Sequence, residues 1–297
     1  MTPTALVTGA SGFIGAHLVR GLVAKGWHVH LLARASSTIS PDLAAATVQR
    51  YDGSATSLAA IVAETRPTVT FHLASLYLAS HIAADIEGLI ASNVTLVTQL
   101  AEALTAEGAG GRLVTTGTAW QHYNGDDTYR PVNLYAASKQ AADTMLRYYV
   151  DARELSLITL KLFDTYGADD TRRKLIQLLV DAACSGEVLS MSPGEQIVDL
   201  SHVDDVVDAF IACGERMITA PHALDETFFV SGERFRVRDL VPVVEAAMGK
   251  PVTANFGGRT YRDRELMIPI DPGVAGRVPG WAPRRKLADA VAGLGEH

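Results

Sequence analysis

Tyr135 and Lys139 stand four residues apart in the stretch Leu134-Tyr-Ala-Ala-Ser-Lys139, and a glycine-rich run, Gly9-Ala-Ser-Gly12-Phe-Ile-Gly15, precedes them in the chain. Residues at i and i+4 share one face of a helix, so an ammonium there sits beside the phenol and favours its ionised form. Such a phenol exchanges protons near neutral pH. Glycines between a strand and a helix let a phosphate approach main-chain N–H groups at the positive end of the helix dipole. A phenol–ammonium pair combined with a dinucleotide cradle predicts redox chemistry at a carbinol or ketone.

The elements that must position these groups are legible from apolar runs. Ala5 to Thr8 reads as a first strand, Phe13 to Lys25 as a helix ended at Gly26, and Val29 to Ala33 as a second strand. Val69 to Leu73, counted as the fourth strand, and Arg112 to Thr116 follow, separated by helical patterns around Leu58 to Glu64 and Asn93 to Glu107. Leu157 to Phe163 and Thr227 to Val230 complete the series. Strands alternating with helices predict an α/β fold, a Rossmann-type doubly wound parallel sheet. The stretches 167–197 and 232–297, punctuated by Pro and Gly, lack this rhythm and are expected to form a smaller, mainly C-terminal cap that binds substrate. The expected division is 1–166 with 198–231 as the nucleotide-binding domain and 167–197 with 232–297 as the cap.

Composition narrows the class. The 297 residues are 48% hydrophobic and 20% charged, enough for a substantial core. The net charge of −7 is scattered rather than gathered in runs, so no nucleic-acid partner is expected. No apolar run is long enough to span a bilayer and no leader pattern is seen, which predicts a cytoplasmic protein without a membrane partner. Cys184 and Cys213 have no metal-ligand spacing; both are expected to be buried free thiols, and no metal site is expected.

At the cofactor end, Gly9, Ser11, Gly12, Phe13, Ile14 and Gly15 form the expected cradle. Where NAD-selective folds place an acidic residue after the second strand, this chain has Arg34 followed by Ser36 and Ser37. A guanidinium and hydroxyls suit a 2′-phosphate, so NADPH is the expected cofactor. Asp52 is placed to accept from the adenine amine, and Leu73, Ala74 and Ser75 are small enough for the cofactor to pass. Each of these has loop geometry as its alternative.

With these residues in place, the chain resembles the extended short-chain dehydrogenase/reductase family over nearly its whole length. The motifs are Gly9 to Gly15, Phe71-His-Leu-Ala74, Tyr135-Ala-Ala-Ser-Lys139, Tyr166-Gly167 and His202-Val-Asp-Asp-Val206. Within it, Asp164 to Gly167, the Gly194-Glu-Gln-Ile run and the tail from Arg262 to Pro283 are most similar to nucleotide-sugar 4-ketoreductases of the CDP-abequose synthase type. The resemblance implies that Tyr135 is the general acid, that Lys139 lowers its pKa and binds the nicotinamide ribose, and that Thr118 hydrogen-bonds the substrate carbonyl. Thr116, two residues earlier, is the competing hydroxyl. Asn93 opens its helix either as an N-cap or at the place of a family Asn in the cofactor site. The resemblance also implies a homodimer paired through the helices bearing Asn93 and Tyr135.

For the substrate half, Trp120 in Trp120-Gln-His-Tyr123, His81, Arg172 and Arg262 are the candidate contacts, the arginines for a diphosphate. Val198 stands where relatives often carry an Arg that holds the diphosphate. The expected reaction is NADPH-dependent reduction of the C4 ketone of a nucleotide-activated 4-keto-6-deoxyhexose. Dehydratase relatives carry a Thr-Asp-Glu triplet where this chain has Thr116-Gly-Thr-Ala119, which disfavours water elimination. The rivals are a 4-epimerase with bound NAD and, from a different class, a non-catalytic NADP-binding sensor, which has no need of Tyr135 and Lys139.

Overall fold

The computed structural model describes residues 2–106, 111–220, 223–274 and 276–294. Strands β1 (Thr4–Thr8), β2 (His28–Arg34), β3 (Thr47–Tyr51), β4 (Val69–His72), β5 (Arg112–Thr118), β6 (Ser156–Leu162) and β10 (Asp225–Val230) form one parallel sheet in the order β10-β6-β5-β4-β1-β2-β3. The expected doubly wound Rossmann-type sheet is therefore present. Its strands read as near-continuous apolar runs because both faces are covered. In β1, Ala5 and Val7 enter one core while Leu6 enters the other; Val114 and Leu113 of β5 divide the same way.

On one face lie α1 (Phe13–Ala24) and α7 (Val203–Thr219), which pack against each other. On the other lie α2 (Ala55–Thr65), α4 (Leu96–Leu104) and α5 (Leu134–Arg153). The helix read as Asn93 to Glu107 begins earlier, with α3 (Ile86–Ile90), and passes through a π-helical turn, Ala91–Thr95, before α4; Glu107 lies outside the described residues. Asn93 is thus inside a helical run and caps nothing. The third strand, β3, lies at the sheet's edge, where the mixed sequence Thr-Val-Gln-Arg-Tyr gives no apolar run to find.

A third core joins α6 (Leu175–Ser185), α8 (Leu240–Met248) and α9 (Leu287–Leu294) to two small sheets. One pairs β8 (Leu189–Met191) with β12 (Ala254–Phe256); the other has the order β11-β9-β7, from Glu233–Arg236, Ile197–His202 and Asp164–Tyr166. This second sheet joins β11, from a stretch expected to be cap, to β7 and to β9, most of which was expected in the first domain. The C-terminal tail also returns to the main body. The buried Asp205 carboxylate, in the first turn of α7, accepts from the main-chain N–H groups of Arg284 and Arg285 and from the Arg285 guanidinium at 2.7 Å. Trp281 Nε1 donates to the Asp205 carbonyl at 3.0 Å. Cys213 is buried, but Cys184 is exposed at the last turn of α6, contrary to expectation. No described helix is long and apolar enough to cross a membrane.

Candidate active site

Parallel sheets bind ligands at the C-terminal ends of their strands, where adjacent connections diverge to opposite faces. Here that point lies between β1 and β4. The Leu73 and Ala74 N–H groups donate to the Thr8 carbonyl and hydroxyl at 3.2 and 3.1 Å, tying the two strand ends together. Gly9 adopts φ +78°, and a Cβ there would lie 2.6 Å from Ala74 N. A Cβ on Gly15 would overlap the Gly9 carbonyl. These two glycines therefore let α1 approach the sheet.

Gly12 does something different. It is the N-cap of α1, it is exposed, and a Cβ added to it would meet only the Gly9 carbonyl, at 3.3 Å. The first intrahelical bond runs from Ala16 N–H to the Gly12 carbonyl at 2.9 Å, so the amides of Phe13, Ile14 and Gly15 precede the helical ladder and point out of its positive end. A cavity of about 260 Å³ runs from this turn to Thr118 and Tyr135, lined also by Phe13, Ile14, Leu73 and Ser75. The turn and its open face fit a dinucleotide pyrophosphate. Ser11 is exposed on the turn, and the Ala74 side contributes its N–H to the strand junction rather than to the cavity.

Tyr135 is set by the start of α5. Asn133 caps that helix, accepting from Ala136 N–H at 2.9 Å, while its amide donates to the carbonyls of Leu78 and Ala79 beyond β4. Burial pushes the Tyr135 phenol up to about 12, against the Ser75 hydroxyl and Arg172, which pull it down. The expected lowering by Lys139 is not what the geometry gives. Lys139 is buried, and its Nζ donates to Thr116 Oγ1 at 2.9 Å; desolvation brings it down to about 8. Thr116 and Thr118, two apart on β5, face the same cavity, but Thr116 is engaged by Lys139 while Thr118 Oγ1 accepts from Trp120 N–H at 3.3 Å. The phenol is thus held protonated, as a proton donor must be.

Asn93 is 1% exposed. Its carbonyl oxygen accepts from Leu76 N–H at 2.8 Å and from the Ser75 hydroxyl, and its amide donates to the Leu76 carbonyl and to Ser138 Oγ at 2.9 Å. The N-cap reading does not describe it: it joins the segment after β4 to α5. Single π-helical turns of this kind recur at functional sites.

Arg34 is exposed at the end of β2. A residue not anticipated from sequence, Arg50 on β3, donates from Nη1 to the carbonyls of Arg34 and Ser37 at 3.1 and 2.9 Å. Finding it requires the β2–β3 register, in which Ala33 stands opposite Arg50. Asp52 accepts from Ser54 N–H at 2.8 Å, a turn contact that holds its carboxyl below the usual carboxylate range, and Ser54 in turn caps α2.

A larger cavity of about 510 Å³ opens beside the first, lined by Trp120, Arg262, Arg259 and Val198 among others. Arg262 pairs with Glu265 at 3.4 Å on its rim. Arg172 does not line this cavity. Its guanidinium lies 4.7 Å from the Phe13 ring centroid, held by both oxygens of Asp170, so it belongs with the glycine turn instead. His81 is exposed and lines neither cavity. Of the loop after β5 only Trp120 faces the cavities; Gln121 and His122 turn inward. Tyr77, also unanticipated, lines both cavities, with its ring edge-on to Tyr135 at 5.1 Å and tilted on Trp120 at 5.8 Å.

A model of the NAD dependent epimerase/dehydratase family matches residues 5–224, which carry the glycine turn, Thr118, Tyr135 and Lys139. The chain belongs to that family. It is 26% identical to the CDP-abequose synthase of Yersinia pseudotuberculosis over 267 residues, covering 89% of this chain and 90% of the relative. It is 29% identical to the UDP-glucose 4-epimerase of Mycolicibacterium smegmatis over 306 residues, covering 97% and 96%. Among solved structures, a UDP-glucuronic acid 4-epimerase from Bacillus cereus, in complex with UDP-glucuronic acid and NAD, superposes with a TM-score of 0.85 at 20% identity, over 98% of this chain and 97% of that one. That last likeness shows the shared family fold.

The site geometry makes one expectation direct. Tyr135→Phe keeps the ring against Tyr77 and removes only the proton donor, so turnover should fall by roughly 10²–10⁴-fold while cofactor affinity persists. Lys139→Ala should weaken both. Fluorescence titration of the reduced cofactor beside steady-state turnover checks this, and substantial activity in Tyr135→Phe would remove the phenol from its role.

Proposed function

We propose that this family member is an NADPH-dependent reductase acting on the C4 ketone of a nucleotide-activated 4-keto-6-deoxyhexose. The observation that carries the cofactor choice, and with it the reductive direction, is the Arg34–Arg50 pair at the end of β2, with no carboxylate on Arg34 or the three residues after it. Two guanidiniums there suit a 2′-phosphate, Arg34 through its exposed side chain and Arg50 by fixing the Arg34–Ser37 loop. The sequence likeness to a CDP-abequose synthase over most of both chains supports the substrate class. The larger cavity, with Arg259 and Arg262 in its lining, is the place for the nucleotide sugar.

The amides of Phe13, Ile14 and Gly15 would hold the cofactor's pyrophosphate, Arg34 and Ser37 its 2′-phosphate, and Lys139 its nicotinamide ribose. The bound cofactor supplies a hydride. Thr118 and Tyr135 hydroxyls flank the substrate carbonyl oxygen, so that negative charge growing on it meets two donors. Tyr135, kept protonated by burial, then gives its proton to the nascent alkoxide. The Lys139 ammonium stays anchored on Thr116 throughout.

With a nucleotide 4-keto-6-deoxyhexose and 4-deuterated NADPH, about one cofactor should be consumed per sugar and deuterium should be retained at C4. A 4-epimerase, the reading favoured by the likeness to a UDP-glucose 4-epimerase, behaves otherwise. It interconverts a 4-hydroxy sugar without net oxidation of NADPH and takes no label from free cofactor; that pattern would replace the reductase reading.

NADPH should be preferred over NADH, and Arg34→Ala should narrow the preference. A charge-assisted contact is worth about 1.5–3 kcal/mol, or roughly one to two orders of magnitude in NADPH affinity. Equal use of both cofactors by the unmodified protein refutes the argument.

A homodimer is part of the same reading. Ile82, just before α3, and Ile86 and Ile90, within it, are 69%, 44% and 42% exposed, and Met145 and Tyr148 are exposed on the neighbouring α5. Exposed apolar side chains on two neighbouring helices suit a second copy. Sedimentation should give a dimer at micromolar concentration, and a monomer throughout that range rejects the pairing.

A further inference from the structure

Behind the reacting groups lies a buried polar cluster that none of the steps above uses. Gln121, fully buried, accepts from Thr118 N–H through Oε1 at 2.9 Å and donates through Nε2 to Asp143 Oδ2 at 2.8 Å and to Gln140 Oε1 at 2.6 Å. Asp143 is one helical turn beyond Lys139 on α5, so its carboxylate and the ammonium share a face of the helix. Lys161, from β6, and Arg147 face the same carboxylate. Lys161 Nζ in turn lies 2.8 Å from His122 Nε2. Gly117 leaves room for this arrangement, since a Cβ there would lie 2.9 Å from both Gln121 Oε1 and Lys161 Cγ.

We propose that Asp143 is a positioning residue of the active site: through Gln121 it holds the main chain of Thr118 in place, and across the helix face it holds the Lys139 ammonium in its charged form. This rests on the reading of Thr118, Tyr135 and Lys139 as the reacting set. A side chain that only filled space would not place a charge here. Buried carboxylates are costly unless they are paired and hydrogen-bonded, and this one has cations on two elements and a dedicated amide donor. Lys139 is also faced by His72 on β4, which burial and the ammonium itself push down to about 3, so His72 stays neutral and lends no charge. Asp143 is the group whose charge opposes the desolvation of Lys139.

The two arms of the brace separate experimentally. Asp143→Asn keeps an acceptor oxygen for Gln121 and deletes the charge. The pH above which NADPH affinity falls, read by fluorescence titration of the intact protein between pH 7 and 9, should then move down by about one unit. Asp143→Glu should restore it. Gln121→Met deletes the acceptor for Thr118 N–H, so kcat should fall at least about tenfold; it also deletes the amide donor that favours the Asp143 carboxylate, so the pH at which NADPH affinity falls should move down as it does in Asp143→Asn. Superimposable pH curves for the unmodified protein and Asp143→Asn overturn the electrostatic arm and with it the proposal, as does a folded Gln121→Met with unaltered kcat. If Gln121→Met does not fold, the Asp143→Asn comparison decides alone. The cofactor titration needs no sugar, so failure to turn over any nucleotide sugar counts against the functional reading while leaving this test intact.

Discussion

The contact between the glycine turn and the main chain after β4 is the constraint on which the rest of the site depends. Thr8 closes the end of β1 by receiving the N–H groups of Leu73 and Ala74, and its hydroxyl also bonds His72 Nδ1 at 2.9 Å. Only a glycine at 9 permits that approach, and only a glycine at 15 lets α1 follow it down. The positive end of α1, the floor under Tyr135 and the groove between them are all set by this junction. Asn93 then carries the constraint sideways, fastening Leu76 to Ser138 and so registering α5 against the strand ends.

Burial does opposite things to the two members of the phenol–ammonium pair. It removes water from Tyr135 and raises the cost of the phenolate; it removes water from Lys139 and raises the cost of the ammonium. The result is an acid that keeps its proton until negative charge develops nearby, next to a cation that needs support to stay charged.

Much of the fold was legible in the sequence because a parallel sheet covered on both faces must be apolar at consecutive positions, and Leu6-Val7 or Leu113-Val114 show this plainly. The edge strand β3 has no readable place because three of its five residues are polar, and the three-residue strands β7, β8 and β12 are too short to carry a period. Tyr135, Lys139 and the glycines were readable from spacing, since helix geometry alone puts i and i+4 together. Arg50, Tyr77 and Gln121 were not, and Arg172 was legible as a candidate but not in its place, because each is set by a neighbour distant in sequence: Phe13 for Arg172, the β2–β3 register for Arg50, Trp120 and Tyr135 for Tyr77, Asp143 for Gln121. The Tyr135 shift runs opposite to the one its spacing from Lys139 implies, because burial dominates it. Spacing reports which groups meet; it does not report how much water remains when they do.

The staple at Asp205 has a consequence for the order in which the chain can be completed during synthesis. α1 and α7 cover one face of the sheet together, yet the carboxylate at the start of α7 receives its partners from Arg284 and Arg285, near the other end of the chain. A nascent chain that has released β1 through α7 still lacks the guanidinium and the two main-chain N–H groups that this carboxylate receives in the folded protein. The first turn of α7 thus gains its last partners 79 and 80 residues after Asp205 itself, so this corner of the fold is completed later than the strands beneath it.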